Sequence, residues 1–138
     1  MSFELVIQKA IYEKLAESAE LIAKKIPVYD DVPQPKDSGD SCNFPYVVVG
    51  DDSVKAWDTD TENGADAVIT IHTWSRYLGK KEIKELQGYV YSALHNADLL
   101  IPNYVSVVCA FQGSDSFVDA DGKTRHGVQT FSMLIEKL

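Results

Sequence analysis

Ala67-Val68-Ile69-Thr70-Ile71-His72-Thr73-Trp74-Ser75-Arg76 decides how this chain is read. Its β-branched and aromatic residues predict a long strand. Alternate side chains of a strand share a face, so Val68, Thr70, His72 and Trp74 lie on one side and Ala67, Ile69, Ile71 and Thr73 on the other. The Ile69 and Ile71 side is the better candidate for a helix-covered face. Tyr77-Leu78-Gly79 breaks the strand, and Lys80 to Ala97 then reads as a helix. Ile83, Leu86, Val90, Leu94 and Ala97 form one apolar stripe along it, a spacing that argues for burial against a sheet.

Two further strands follow, Tyr104 to Gln112 and His126 to Glu136, with a turn at Asp119-Ala120-Asp121-Gly122 between them. Asp-Gly favours the positive φ that hairpin turns require. Upstream, Phe44-Pro45-Tyr46-Val47-Val48-Val49-Gly50 reads as a strand that begins at a proline, which cannot donate to a ladder. The chain opens with a helix from Ser2 or Phe3 to just before Pro27, with Ser2 as N-cap and Leu5, Ile11, Leu15, Ala19, Ile22 and Ile26 as its apolar face. Val28-Tyr29 is a short extended piece. Asp30 to Asn43 and Asp51 to Gly64 read as polar loops.

The order helix, strand, strand, helix, strand, strand predicts an α+β fold: a mostly antiparallel sheet of four or more strands with two helices packed on one face. At 138 residues, the sequence fits a single domain spanning 1–138. The opposite sheet face carries mixed polar and apolar side chains, which suits packing against another subunit.

The net charge is −8, and the window from Asp30 to Asp66 holds all of it: ten acids against Lys36 and Lys55. Acidic loops keep a small protein in solution; they also suit a basic partner or a cation. A duplex nucleic acid is disfavoured, because phosphate binding needs a basic face and Lys80, Lys81 and Lys84 are interleaved with Glu82 and Glu85. No apolar run reaches the roughly 18 residues needed to span a bilayer, and Met1-Ser2-Phe3-Glu4 lacks the form of a signal peptide. With no sign of secretion, Cys42 and Cys109 are expected to be reduced thiols.

Candidate chemistry is sparse. His72 stands mid-strand without a second ligand at metal spacing and reads as a sheet-face residue. His95 lies near a helix end and His126 at a strand start. Asp58-Thr59-Asp60-Thr61-Glu62-Asn63-Gly64 fails as a calcium loop, since its glycine comes one position late and Ile69 occupies the closing glutamate's place. Weak cation binding by these carboxylates stays open. Ser75 or Cys109 would need a positioned base to act as a nucleophile. No catalytic, cofactor or metal residues are therefore assigned, and the chain is expected not to be an enzyme. The aromatics direct attention to surfaces instead. Trp57 in a polar loop either folds back or meets a partner, and Trp74 with Arg76 has both a packing and an interface reading. The candidate partner interface is Trp57, Asp58, Asp60, Glu62, Trp74 and Arg76.

In order along the chain, an N-terminal helix leads to Ile26-Pro27-Val28-Tyr29-Asp30-Asp31-Val32-Pro33, then to Phe44-to-Gly50 and to Ile69-Thr70-Ile71-His72-Thr73-Trp74-Ser75. Gly79 and a helix ending in Leu94 follow, and the chain closes on Asp121-Gly122, His126 and Phe131-to-Glu136. This succession resembles the tail-completion, or tail-terminator, proteins of long-tailed bacteriophages and prophages, a family of the SPP1 type. The segment Asp37 to Asn43 is longer than the usual pattern.

The resemblance implies a non-enzymatic virion structural protein without cofactors. Such a protein forms a ring, commonly of six subunits, at the head-proximal end of the tail. The ring stops tube growth and offers a surface for head joining, so the implied partners are further copies, the tail tube protein and the head connector. The implied location is the bacterial host cytoplasm during assembly and then the virion tail. Like-charged loops repel where they meet, so the Asp30–Asp66 loops are expected to point away from subunit contacts. The competing reading is a small-ligand or regulatory binding domain acting as monomer or dimer.

Overall fold

The structure, a computed structural model, describes residues 3–30, 44–56, 64–99 and 101–137, with the side chains of 106–108 outside the description. Its elements are α1 (Phe3–Ala16), α2 (Ala19–Ala23), β1 (Val28–Tyr29), β2 (Tyr46–Ala56), β3 (Gly64–Ser75), α3 (Lys81–Leu94), β4 (Tyr104–Val118) and β5 (Arg125–Lys137). The strands form one sheet in the order β1-β2-β3-β5-β4. β1 runs parallel to β2 and every other pair is antiparallel. The fold is α+β, as expected, with a mixed five-stranded sheet.

The single long N-terminal helix gives way to two. The path breaks at Glu17-Ser18, where Ser18 takes an extended conformation (φ −60°, ψ 121°) and its Oγ accepts from Leu21 N at 3.4 Å. Serine is a favoured N-cap because that oxygen satisfies an amide the helix cannot. The break resets the helical phase, so the buried residues are Val6, Ile7, Ile11 and Leu15, then Leu21. The expected stripe members Leu5 and Ile22 are 56% and 61% exposed. Ser2 lies outside the described residues. At the exit, Lys25 adopts φ 57°, Ile26 N donates to Leu21 O, and Lys25 N donates to Ile22 O. That is a Schellman closure, and Pro27 follows it.

The second polar loop is shorter than expected, because Asp51 to Ala56 continue β2. Its register against β3 shifts between Val49 and Asp52 and then holds to Ala56↔Ala65. The neighbouring β1 pairs only with Val47 and Val48. Beyond them β2 has, among the described residues, an open edge whose side chains face water, which is why a polar sequence is tolerated there. β4 likewise runs past Gln112 to Val118, with register shifts at Ser106/Val108 and Phe111/Gly113. The Asp119–Gly122 turn forms as expected, with Gly122 at φ 72° and Asp121 Oδ1 accepting from both Lys123 N and Thr124 N.

The β3 alternation is as the sequence predicts: Ala67, Ile69, Ile71 and Thr73 are all buried. They join Phe131, Met133 and Ile135 of β5. Buried residues of α1, α2 and α3 complete one core cluster with that sheet face. Three helices rather than two supply it. The other face, carrying Val68, Thr70, His72 and Trp74, is only half covered, and Val68 is 39% exposed.

Candidate functional site

Register gathers aromatic rings onto the half-covered face. Trp74 of β3 pairs with Tyr46 of β2 on one side and His126 of β5 on the other, and Phe117 of β4 pairs with His126. The Trp74 and His126 rings stack with centroids 3.7 Å apart and planes 11° from parallel. Tyr46 stacks on Trp74 at 6.2 Å, and Tyr29 of β1 meets Tyr46 edge-on at 6.0 Å. Phe117 meets His126 edge-on at 4.9 Å. All five strands thus contribute to one band. Offset and edge-to-face contacts of this kind add to the apolar area they bury.

The band ends in a cation. The Arg76 guanidinium lies 4.3 Å from the centre of the Phe44 ring, and Phe44 packs on Tyr46 at 5.0 Å. Arg76 Nε also donates to Thr124 Oγ1 at 3.2 Å. One guanidinium therefore links the start of β2, the end of β3 and the β4–β5 turn. Beyond it, Tyr77 is half exposed and Leu78 is 95% exposed. Burial raises the Tyr46 phenol above its usual range, with nearby Arg76 opposing the shift.

His72 is next to this band. Its Nδ1 is 2.7 Å from His126 Nε2. Its ring lies over Gly50, where a Cβ would come within 2.5 Å of His72 Cδ2, so only glycine leaves the imidazole room. Burial is the main cause holding both histidines below their usual range. Asp51 opposes the shift at His72; at His126, the neighbouring His72 adds to it and Asp119 opposes it.

The residues singled out in the sequence fall into two groups. Trp74 and Arg76 come together through Tyr46 and Phe44. Trp57, Asp58, Asp60 and Glu62 lie outside the described residues. Their flanks, Ala56 and Gly64, stand at the far end of the β2–β3 ladder, where Ala56 pairs with Ala65. Trp74 is nine residues further along β3, about 30 Å at the usual strand rise. The flanks and the Trp74–Arg76 cluster thus mark opposite ends of the sheet. Phe44, Tyr46, His126, Phe117 and Tyr29 were missed, and only the strand register could have recruited them.

The two nucleophile candidates are bound up in the fold. Ser75 Oγ donates to Glu82 Oε1 at 2.7 Å and accepts from Tyr77 N, securing the start of α3. Cys109 is buried and its thiol is pushed up to about 11, which disfavours the reactive thiolate. Cys42 lies outside the described residues. Among the described residues no three His, Cys, Asp or Glu side chains converge to hold a metal ion, and no helix is long and apolar enough to cross a membrane.

Comparison with known proteins shows which class of protein this small α+β domain, with its aromatic band across a half-covered sheet face, falls into. Residues 9–136 match the tail completion protein gp17 family, and the chain belongs to that family. It is 26% identical over 122 residues to the tail completion protein gp17 of Bacillus phage SPP1, covering 88% of this chain and 86% of that one. A chain in the virion of a native gene transfer agent particle superposes with a TM-score of 0.81 at 26% identity, covering 94% of this chain and 93% of the other. The SPP1 gp17 structure itself shares the fold, with a TM-score of 0.55 at 23% identity over 91% and 86% of the two chains. The family is structural and non-enzymatic, so this chain is a tail-completion component of a phage-type virion.

Proposed function

We propose that this protein caps the head-proximal end of the tail, stops tube growth and presents the surface to which the head connector joins. It acts as a ring of about six copies. The observation that supports this reading best is the band from Tyr29 to Phe117, which is closed at one end by Arg76 and left uncovered by the helices. Aromatic and arginine side chains supply the anchors of protein interfaces. We assign Trp74 and Arg76 to a contact with a neighbouring virion subunit. Trp57 and the acidic residues Asp58, Asp60 and Glu62 are assigned to a second partner, because their flanks lie at the other end of the β2–β3 ladder. A two-ended sheet suits a part that joins a tail on one side to a head on the other. Assembly takes place in the bacterial host cytoplasm.

Light scattering behind a sizing column tests this reading, with the protein alone and mixed with purified tail tubes. A discrete species of about six subunits, alone or bound at tube ends, is expected. Replacing Trp74 with Ala and Arg76 with Gln is expected to reduce it. Changing Asp58, Asp60 and Glu62 to Asn, Asn and Gln is expected to weaken partner binding with the fold intact. A chain that stays monomeric in both settings and leaves tubes unbound overturns the proposal, and thermal stabilisation by small metabolites would then favour a ligand-binding domain.

A further inference from the structure

The 2.7 Å approach of His72 Nδ1 to His126 Nε2 leaves space for one hydrogen between two ring nitrogens, so one imidazole donates and the other accepts. The surroundings assign the roles. His126 Nδ1 faces Asp119 Oδ1 at 3.9 Å, and a carboxylate there favours an N–H. His126 Nε2 is then the bare acceptor and His72 Nδ1 the donor. His72 Nε2 is left unprotonated beside Gly50, where a Cβ would stand 2.7 Å away. That side opens to a cleft lined by Asp30, Asp51, Asp52 and the neutral Gln8.

The two available protons have unequal effects. The first binds His72 Nε2, keeps the hydrogen bond and makes it charge-assisted, and the cleft carboxylates offset the new charge. The second must occupy His126 Nε2, the acceptor itself. It removes the bond and sets two cations side by side at a distance they cannot hold. Titrations so coupled proceed in two steps belonging to the pair.

We infer that His72 and His126 form a latch across β3 and β5, closed with no proton or one proton added and opened by the second, which breaks the bond between the two rings and leaves a charged His126 against the face of Trp74. The other groups around the pair are Tyr46 of β2, Asp115 of β4 opposite Val128, Asp119 in the turn, and Arg76 past the end of β3. The latch places an acid-sensitive element in the middle of the aromatic band, and it stands on the ring geometry whether or not that band docks a subunit.

Nuclear magnetic resonance of the full chain tests it. At neutral pH a scalar coupling across the N–H···N bond between the two rings is expected. On acidification, His72 titrates before His126, and both do so below 6.5, the ordinary histidine value. His72→Gln removes the neighbouring charge and moves the His126 midpoint upward. In a Trp57→Phe background, Trp74 emission holds through the first step and changes at the second, and His126→Gln abolishes that change. Absence of the coupling in the unmodified chain overturns the latch even if a variant fails to fold. So does a His126 midpoint that ignores His72→Gln, or Trp74 emission that ignores the second step.

Discussion

Trp74 and His126, 52 positions apart in sequence, stack face to face with ring centroids 3.7 Å apart. The β3–β5 ladder brings them there, since Trp74↔His126 is one of its register pairs. The stack sits where Arg76, Phe44 and the β4–β5 turn converge. What decides the character of this surface is therefore how the two strands are aligned, and side-chain chemistry acts on that alignment.

Trp74→Ala removes two stacked partners from a half-buried site, and a cost of about 2 kcal/mol is expected. Trp74→Phe keeps an apolar ring and is expected to recover most of that loss. Urea unfolding midpoints of the three proteins, compared at equal m-values, check the order.

Gly127 is buried under α3, where an added Cβ would strike Thr73 Oγ1 and stand 2.8 Å from Gln87 Nε2. Gln87 is held in place, since its Nε2 donates to Asp115 O and its O accepts from Gln129 Nε2. Gly127→Ala is expected to destabilise by about 1–3 kcal/mol through overpacking. Gly88→Ala has open space around it and is expected to be neutral or slightly stabilising, as alanine favours a helix interior. Paired thermal melts read the contrast.

Acid should weaken the fold through the histidine pair. Both imidazoles are held below the unfolded value of 6.5 in the folded state, so the unfolded chain binds more protons as pH falls. Their contribution is complete above 6.5 and is lost as the pH drops through the lowered folded values. Unfolding free energy measured between pH 7.5 and pH 5 should decline, and the double replacement of His72 and His126 by Gln should flatten that slope.

Asp121 closes the β4–β5 turn. Its carboxylate accepts from Lys123 N, Thr124 N and Thr124 Oγ1, and the Thr124 hydroxyl is the leading cause holding its pKa down to about 2. A carboxyl titration by nuclear magnetic resonance should find Asp121 titrating at about 2, well below the ordinary aspartate value. Thr124→Val should move it upward, and the amide of Lys123 should report the same step.

The sequence made the centre of the fold legible and the edges less so. β3 and α3 declare themselves because Ile69, Ile71, Ile83, Leu86, Val90 and Leu94 are all buried, and burial imposes a strict period. The end of β2 read as a loop and the predicted β4 stopped short at Gln112, because open edges select for residues such as Asp51, Asp52 and Asp115 rather than for apolar side chains. The break in the first helix turned on one capping oxygen, that of Ser18. For the site, Trp74 and Arg76 stood out as residue types with interface character. Their neighbours Tyr46, Phe44 and His126 did not, because contact between them depends on the pairing of three strands and on the irregularity between Val49 and Asp52. A period-two pattern assigns faces, and register alone assigns neighbours.

Electron microscopy of particles assembled with and without this chain tests tail completion most directly. With the chain present, heads joined to tails of uniform length are expected. Without it, the account predicts filled heads separate from tails, and tubes of irregular or excessive length, both corrected by adding the purified protein. Joined particles with tails of normal length in its absence would contradict it.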